Sequence, residues 1–154
     1  MNVITYEEYF RKFVIAGIAG SMYHIDLLDL DTAAGDLRSG RYTPDHLILE
    51  SFTVNTDLQH ADQIFDQFLG AVLILAPSNI RTLNQQAKTQ LLNTTFESIA
   101  LIKRSMIQDK YSGCHLMEGL VVQSMVTEKV GPVLDGFFGW RLQFQVNIDQ
   151  NMEL

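Results

Sequence analysis

The sequence predicts an α+β domain. An antiparallel sheet of four or more strands packs against one long helix and an N-terminal helix, in the order α, short element, ββ, α, ββ. Three observations predict it. Near the C-terminus Trp140, Leu142, Phe144, Val146 and Ile148 alternate with Arg141, Gln143, Gln145 and Asn147, which is the period of a half-buried strand. Mid-chain, apolar residues recur every three or four positions from Ile80 to Met106 with no Gly or Pro between them. Strand-like runs flank that helix instead of alternating with further helices, which favours α+β over a doubly wound sheet.

Thr5-Tyr6-Glu7-Glu8 reads as a capping box opening the first helix, predicted over 5–16. Tyr6, Tyr9, Phe10, Phe13 and Val14 form its apolar face, and Gly17 and Gly20 end it. Residues 17–45 read as irregular. His24 to Leu30 fits a short strand or a helical turn, Asp31 to Leu37 a short helix capped at Asp29 or Asp31, and Arg38 to Pro44 a loop. His46 to Val54 reads as a strand ended by Asn55-Thr56-Asp57. Ile64 to Leu75 is a second, with Gly70 marking a bulge. The link Asn55–Gln63 is long for a tight hairpin and is expected to project as an exposed loop or arm.

Ser78 or Asn79 caps the long helix, which runs to about Asp109 and spans roughly 45 Å at 1.5 Å per residue. Tyr111-Ser112-Gly113 ends it. Leu120 to Val130 reads as a strand, Gly131 to Gly136 as its interruption, and the alternating segment as the last strand. Residues 1–154 form one domain without repeat or linker, with 149–154 a mobile tail.

Composition restricts the function classes. Apolar residues make up 47% and charged ones 19%, enough for a real core. Lys and Arg number 11 against 18 acids, a net charge of −7, which disfavours a free-standing nucleic-acid binder. The one cysteine excludes an intrachain disulfide and a Cys-rich zinc module. The acidic start MNVITYEEYF is not a secretory signal, and the uncharged run Phe68–Pro77 is about half the ~20 residues of a membrane span. Asn93-Thr94-Thr95 spells a sequon inside a helical pattern and reads as chance. Folding in a reducing cytoplasm is expected.

No motif points to catalysis. Asp26, Asp29, Asp31 and Asp36 lie near His24 without the spacing of a calcium loop, so they read as caps and solvated charge. Cys114-His115 are sequence neighbours, whereas nucleophile and base normally converge from distant segments. His46 and His60 are isolated and read as surface or interface groups. No phosphate loop and no H-E-x-x-H is present. No enzyme, metal or cofactor is expected. The polar stripe Arg141, Gln143, Gln145 and Asn147 is either an ordinary solvated sheet face or a subunit or partner contact. Long uncharged amides can hydrogen-bond across an interface with less desolvation than ions.

Three segments carry a resemblance: Leu37-Arg38-Ser39 leading through Pro44 into Leu47–Glu50, the long helix with Glu97, Ile99 and Ala100, and above all Glu128-Lys129-Val130-Gly131-Pro132-Val133-Leu134-Asp135-Gly136-Phe137-Phe138-Gly139-Trp140-Arg141-Leu142-Gln143-Phe144. Over residues 30–148 the chain resembles uncharacterised proteins of phage and phage-tail-like gene clusters of Bacteroidetes-type bacteria. Its element order is also similar to tail-terminator and head–tail joining (neck) proteins. That resemblance implies a non-enzymatic ring subunit that caps a tail tube. The implied partners are further copies of this chain, a hexamer being one candidate ring, and tail-tube or neck proteins, with no specific nucleic-acid sequence and no membrane. It implies a virion or tail-like particle assembled in the bacterial cytoplasm. The alternative is an assembly chaperone or adaptor binding a protein through its sheet or long helix. The expected contacts are Asn55, Thr56, Asp57, Gln59 and His60 in the first loop, Asp135 in the second, and Arg141, Gln143 and Gln145 on the strand.

Overall fold

The computed structural model describes residues 1–25, 46–60, 63–76, 80–133 and 136–149. The acidic run and loop within 26–45, the caps at Ser78 and Asn79, Asp135 and the tail from 150 lie outside the described residues.

Helix α1 covers Val3–Ile15. Asn2 caps it: its Oδ1 accepts from the Thr5 amide at 2.9 Å, and its own amide donates to Thr5 Oγ1 at 3.0 Å. The capping box therefore begins one turn before the expected Thr5–Glu8 pair, because Asn is the stronger cap and Thr5 can then serve as the returning side chain. Tyr6, Tyr9, Phe10 and Phe13 are buried as the periodicity predicts. Past Ala16 the chain turns at Gly17, whose φ of 76° is left-handed.

Among the described residues six strands follow: β1 (Ser21–Ile25), β2 (His46–Glu50), β3 (Thr53–His60), β4 (Gln63–Leu75), β5 (Val126–Val133) and β6 (Phe137–Asp149). They form one sheet in the order β1-β2-β4-β6-β5, with β3 also on β4. Every pair is antiparallel except β1–β2. The predicted α+β class and element order are those of the molecule, with more strands than the minimum of four.

β2 and β3 lie end to end along one edge of β4. Leu49 faces Val72 and Thr53 faces Leu69, so one extra residue sits between Glu50 and Phe52. This is a bulge. The expected loop Asn55–Gln63 is thus corrected. It is strand β3, and only Ala61 and Asp62 separate it from β4. Asn, Asp and Thr looked like turn formers because pairing with Phe65–Leu69 is invisible locally.

Gly70 does not bulge its own strand. A Cβ there would lie 2.8 Å from both Phe144 Cζ and the Tyr6 hydroxyl oxygen. The missing side chain lets α1 and β6 close over β4 beside the bulge. There the Tyr6 hydroxyl donates to the Glu50 carbonyl at 3.1 Å, satisfying an acceptor where β2 ends.

A 3-10 turn at Ile80–Thr82 precedes helix α2, Gln85–Tyr111, roughly 40 Å long. Its cap is Asn84, which accepts from the Ala87 amide at 2.9 Å, later than the expected Ser78 or Asn79. Ser112 and Gly113 end it as predicted, Gly113 at a φ of 82°.

Both helices cover one face of the sheet. Tyr6, Phe10 and Phe13 of α1 and Ile99, Ile102 and Met106 of α2 share one core with Leu47, Leu49, Val72, Ile74, Leu142, Phe144 and Val146. The predicted register of the last strand holds: Leu142, Phe144 and Val146 are buried under the helices, and Arg141, Gln143 and Gln145 point the other way. Trp140 is half-buried at the rim, its ring 5.0 Å from that of Phe96.

The strand expected over Leu120–Val130 is shorter and later. Leu120 makes only an isolated bridge to Val146, a 3-10 turn spans Val122–Ser124, and β5 starts at Val126. The expected break at Gly131-Pro132 falls inside β5 as a register shift between Val130 and Val133. On the face away from the helices, Ile48, Leu75 and Phe137 form a second, smaller buried cluster.

Candidate subunit-contact face

Strand register decides which side chains meet on the face away from the helices. Asn55, Gln67 and Asn147 stand in one row across β3, β4 and β6. Thr53, Leu69 and Gln145 form the next. Ala71, Gln143 and Val126 follow across β4, β6 and β5, then Leu73, Arg141 and Glu128. Rows on one face recur every second residue, so none of these side chains reaches the helix layer.

Arg141 is held on both sides. Its Nε and Nη2 donate to the two carboxylate oxygens of Glu50 at 2.8 and 2.7 Å, and Nη1 donates to Glu128 Oε1 at 3.0 Å. The Glu50 hydrogen bonds raise the guanidinium pKa further above its ordinary range. Gln143 Nε2 donates to the same Glu128 oxygen at 3.0 Å. Gln145 Nε2 donates to Asn147 Oδ1 at 2.7 Å, while the Gln145 amide donates to Ser124 Oγ at 2.9 Å. Glu50, Ser124, Arg141, Gln143 and Gln145 border a cleft of about 270 Å³ that Leu69, Gly70 and Ala71 also line.

The charges here are largely consumed within the sheet, and the remaining functional groups are amides and the hydroxyls of Ser51, Thr53 and Ser124. An amide donates and accepts at once and does not titrate near neutrality. Such a face is equipped for hydrogen bonding.

Of the residues predicted as contacts, Asn55, Arg141, Gln143 and Gln145 share this face. Thr56 is on the other one, where its hydroxyl donates to Asp66 Oδ1 at 2.9 Å. Asp57 and His60 sit in β3 opposite Phe65 and Gln63, with Gln59 between them, so none of these three is in a loop. Asp135 lies outside the described residues. Sequence reasoning missed Glu50 and Gln67. Gln67 and its neighbour Asp66 interrupt the apolar run from Ile64 to Leu75, and Gln67 has the parity opposite to Phe68 and Val72, which was the available signal.

The other candidates do not converge. The histidine beside Cys114 is exposed, and its Nδ1 is 3.5 Å from Glu118 Oε2. Cys114 is half-buried and packs against the core. His46 corrects the surface expectation: it is 1% exposed, and burial pushes its pKa down. It starts β2 beside the second apolar cluster, which tertiary pairing alone creates. Among the described residues no group of three or more His, Cys, Asp or Glu could hold a metal ion, and no helix is long and apolar enough to cross a membrane. The chain matches no family model, no curated protein and no solved structure.

Proposed function

We propose that the chain is a structural subunit of a phage or phage-derived tail, a terminator or neck protein that assembles in a ring and caps the tail tube. The observation that carries this reading is the amide-rich face. A broad sheet surface spanning β3, β4, β6 and β5 presents Asn55, Gln67, Gln143, Gln145 and Asn147, with its one arginine neutralised internally by Glu50 and Glu128. The segment that carries the resemblance most specifically, Glu128 to Phe144, belongs to the β5–β6 hairpin that supplies half of that face. Repeated weak contacts of this kind to the tail tube suffice once the subunits stand in a ring, because each contact made raises the effective concentration of the next. The net charge of −7 lets a duplex pass such a ring without adhering to it.

The test is electron microscopy of particles from a strain lacking the gene, complemented with wild type or with Gln143→Glu/Gln145→Glu. Overlong or headless tails that only the wild type corrects are expected. Tails of normal length, correctly joined to heads, in the absence of the gene remove both the terminator and the neck readings.

A second reading, a non-enzymatic assembly chaperone or adaptor, draws on α2. Phe96 and Leu101 are 43% and 48% exposed on that helix, and such side chains suit an apolar partner groove. A stable one-to-one complex with a single tail protein, absent from finished particles, would favour it.

A further inference from the structure

Besides β1, flanked only by β2, two strands keep an outer edge that no described residue pairs: β3, flanked only by β4, and β5, flanked only by β6. They lie on opposite sides of the sheet. β3 is antiparallel to β4, β4 to β6, and β6 to β5. β3 and β5 therefore run in opposite directions. A second copy placed beside the first in the same orientation brings its β5 antiparallel to the first copy's β3. We infer that β3 of one copy pairs with β5 of the next, joining copies head to tail into one continuous sheet that closes on itself, amide face inward and helices outward.

Three features support this occupant. The usable windows match in length. β3 pairs regularly over Thr53–Asp57 before its register shift, and β5 over Val126–Val130 before Gly131-Pro132. The side chains also fit one register. With Asn55 opposite Glu128, an amide donor meets a carboxylate on the open face. Thr56 then meets Thr127 and Val54 meets Lys129 on the helix face. Thr–Thr is a favourable cross-strand pair. A slip of two residues one way sets Asp57 against Glu128, two like charges. A slip the other way runs into the bulge between Glu50 and Phe52.

The third feature is stagger. Asn55 is level with Gln67 on β4, whereas Glu128 is level, through Arg141, with Leu73. The two open edges are thus offset by six residues along four strands. Six residues at ~3.3 Å across four strands at ~4.8 Å is a tilt of roughly 45°. Closed barrels need tilts of ~35–45°. Edges without such an offset would extend as a flat ribbon. Helices as long as α2 fit outside a closed sheet and not within it, which sets the amide face inward. The offset sets the tilt and leaves the number of copies free.

This pairing deepens the ring reading but stands on strand geometry alone. It is tested by cross-linking in a Cys114→Ser background, which removes the native thiol. Thr56→Cys combined with Thr127→Cys places thiols directly opposite between copies. Val54→Cys with Lys129→Cys is an independent pair in the same register. Within one chain each pair is separated by three strand spacings, roughly 14 Å, plus the stagger, far beyond the ~7 Å limit of a disulfide. Oxidation should convert most of either double variant into a ladder that exceeds dimer and ends in one discrete band, while each single variant stays monomeric on a non-reducing gel. Dimer formation by Thr56→Cys alone overturns the proposal in favour of β3–β3 pairing. So does failure of both double variants to cross-link up to the limit of solubility. A ladder from a chain whose gene deletion leaves tails normal keeps the pairing and removes the tail reading.

Discussion

The Trp140 indole donates to the Leu92 carbonyl at 2.9 Å, and Thr95 Oγ1 donates to the same oxygen at 3.1 Å. One carbonyl in α2 thereby ties the helix to the strand beneath it, where apolar packing alone would leave the helix free to slide. Trp140→Phe keeps a ring against Phe96 and loses the tether. A cost of about 1 kcal/mol is expected, against about 3–5 kcal/mol for Phe144→Ala in the core. Urea midpoints followed by circular dichroism would separate the two, since Trp140 is the one tryptophan and fluorescence is lost with it.

Gly70→Ala should destabilise by about 1–3 kcal/mol, because its Cβ meets Phe144 and the Tyr6 hydroxyl and neither can retreat from the core. In a Tyr6→Phe background the same change should cost less, since the hydroxyl oxygen is gone. A double-mutant cycle reads the coupling. Strict additivity would mean that the two sites do not meet.

Arg141→Ala leaves Glu50 and Glu128 without their shared partner, on either side of β4 and β6. Breaking a fully buried pair costs ~3–5 kcal/mol, but these side chains are 24–48% exposed, so about 1–2 kcal/mol is expected. Chemical denaturation of Arg141→Ala and of Glu50→Gln provides the comparison. A loss of 4 kcal/mol or more would show a far drier site, by the same ~3–5 kcal/mol scale.

His46 predicts a pH dependence. Burial lowers its folded pKa below the ordinary 6.5. Below that value the unfolded chain binds a proton that the folded state refuses, so stability falls as pH drops from 6.5 towards the folded pKa and is flat above it. Melting temperatures measured from pH 7.5 to 5.5 should decline at the acid end. His46→Gln should flatten that decline even if the variant is less stable throughout.

Cys114→Ser and His115→Ala should leave the fold and any assembly within a few-fold of wild type. The thiol packs against the core, and the exposed imidazole lies 3.5 Å from Glu118. Loss of assembly in both variants, with melting temperatures unchanged, would restore a chemical role for this loop.

Short-range patterns were legible in the sequence. The burial of Tyr6, Tyr9, Phe10 and Phe13, the end of α2 at Ser112-Gly113, and the in–out alternation of β6 follow from periods of 3.6 and 2.0, which the backbone imposes wherever each element pairs. They sufficed for the α+β class and for placing Arg141, Gln143 and Gln145 on one face. Tertiary structure decided whatever depends on a distant partner. Asn55 looked like a loop residue until Gln67 of β4 took up its backbone, and His46 looked exposed until Ile48, Leu75 and Phe137 gathered beside it. Gly70 looked like a bulge, but the extra residue lies on the strand opposite, where the Tyr6 hydroxyl meets the Glu50 carbonyl. The amide face itself exists only because β4 sits between β3 and β6. That order is set by which apolar faces can be buried together, a sum over the whole core that no local window of residues contains.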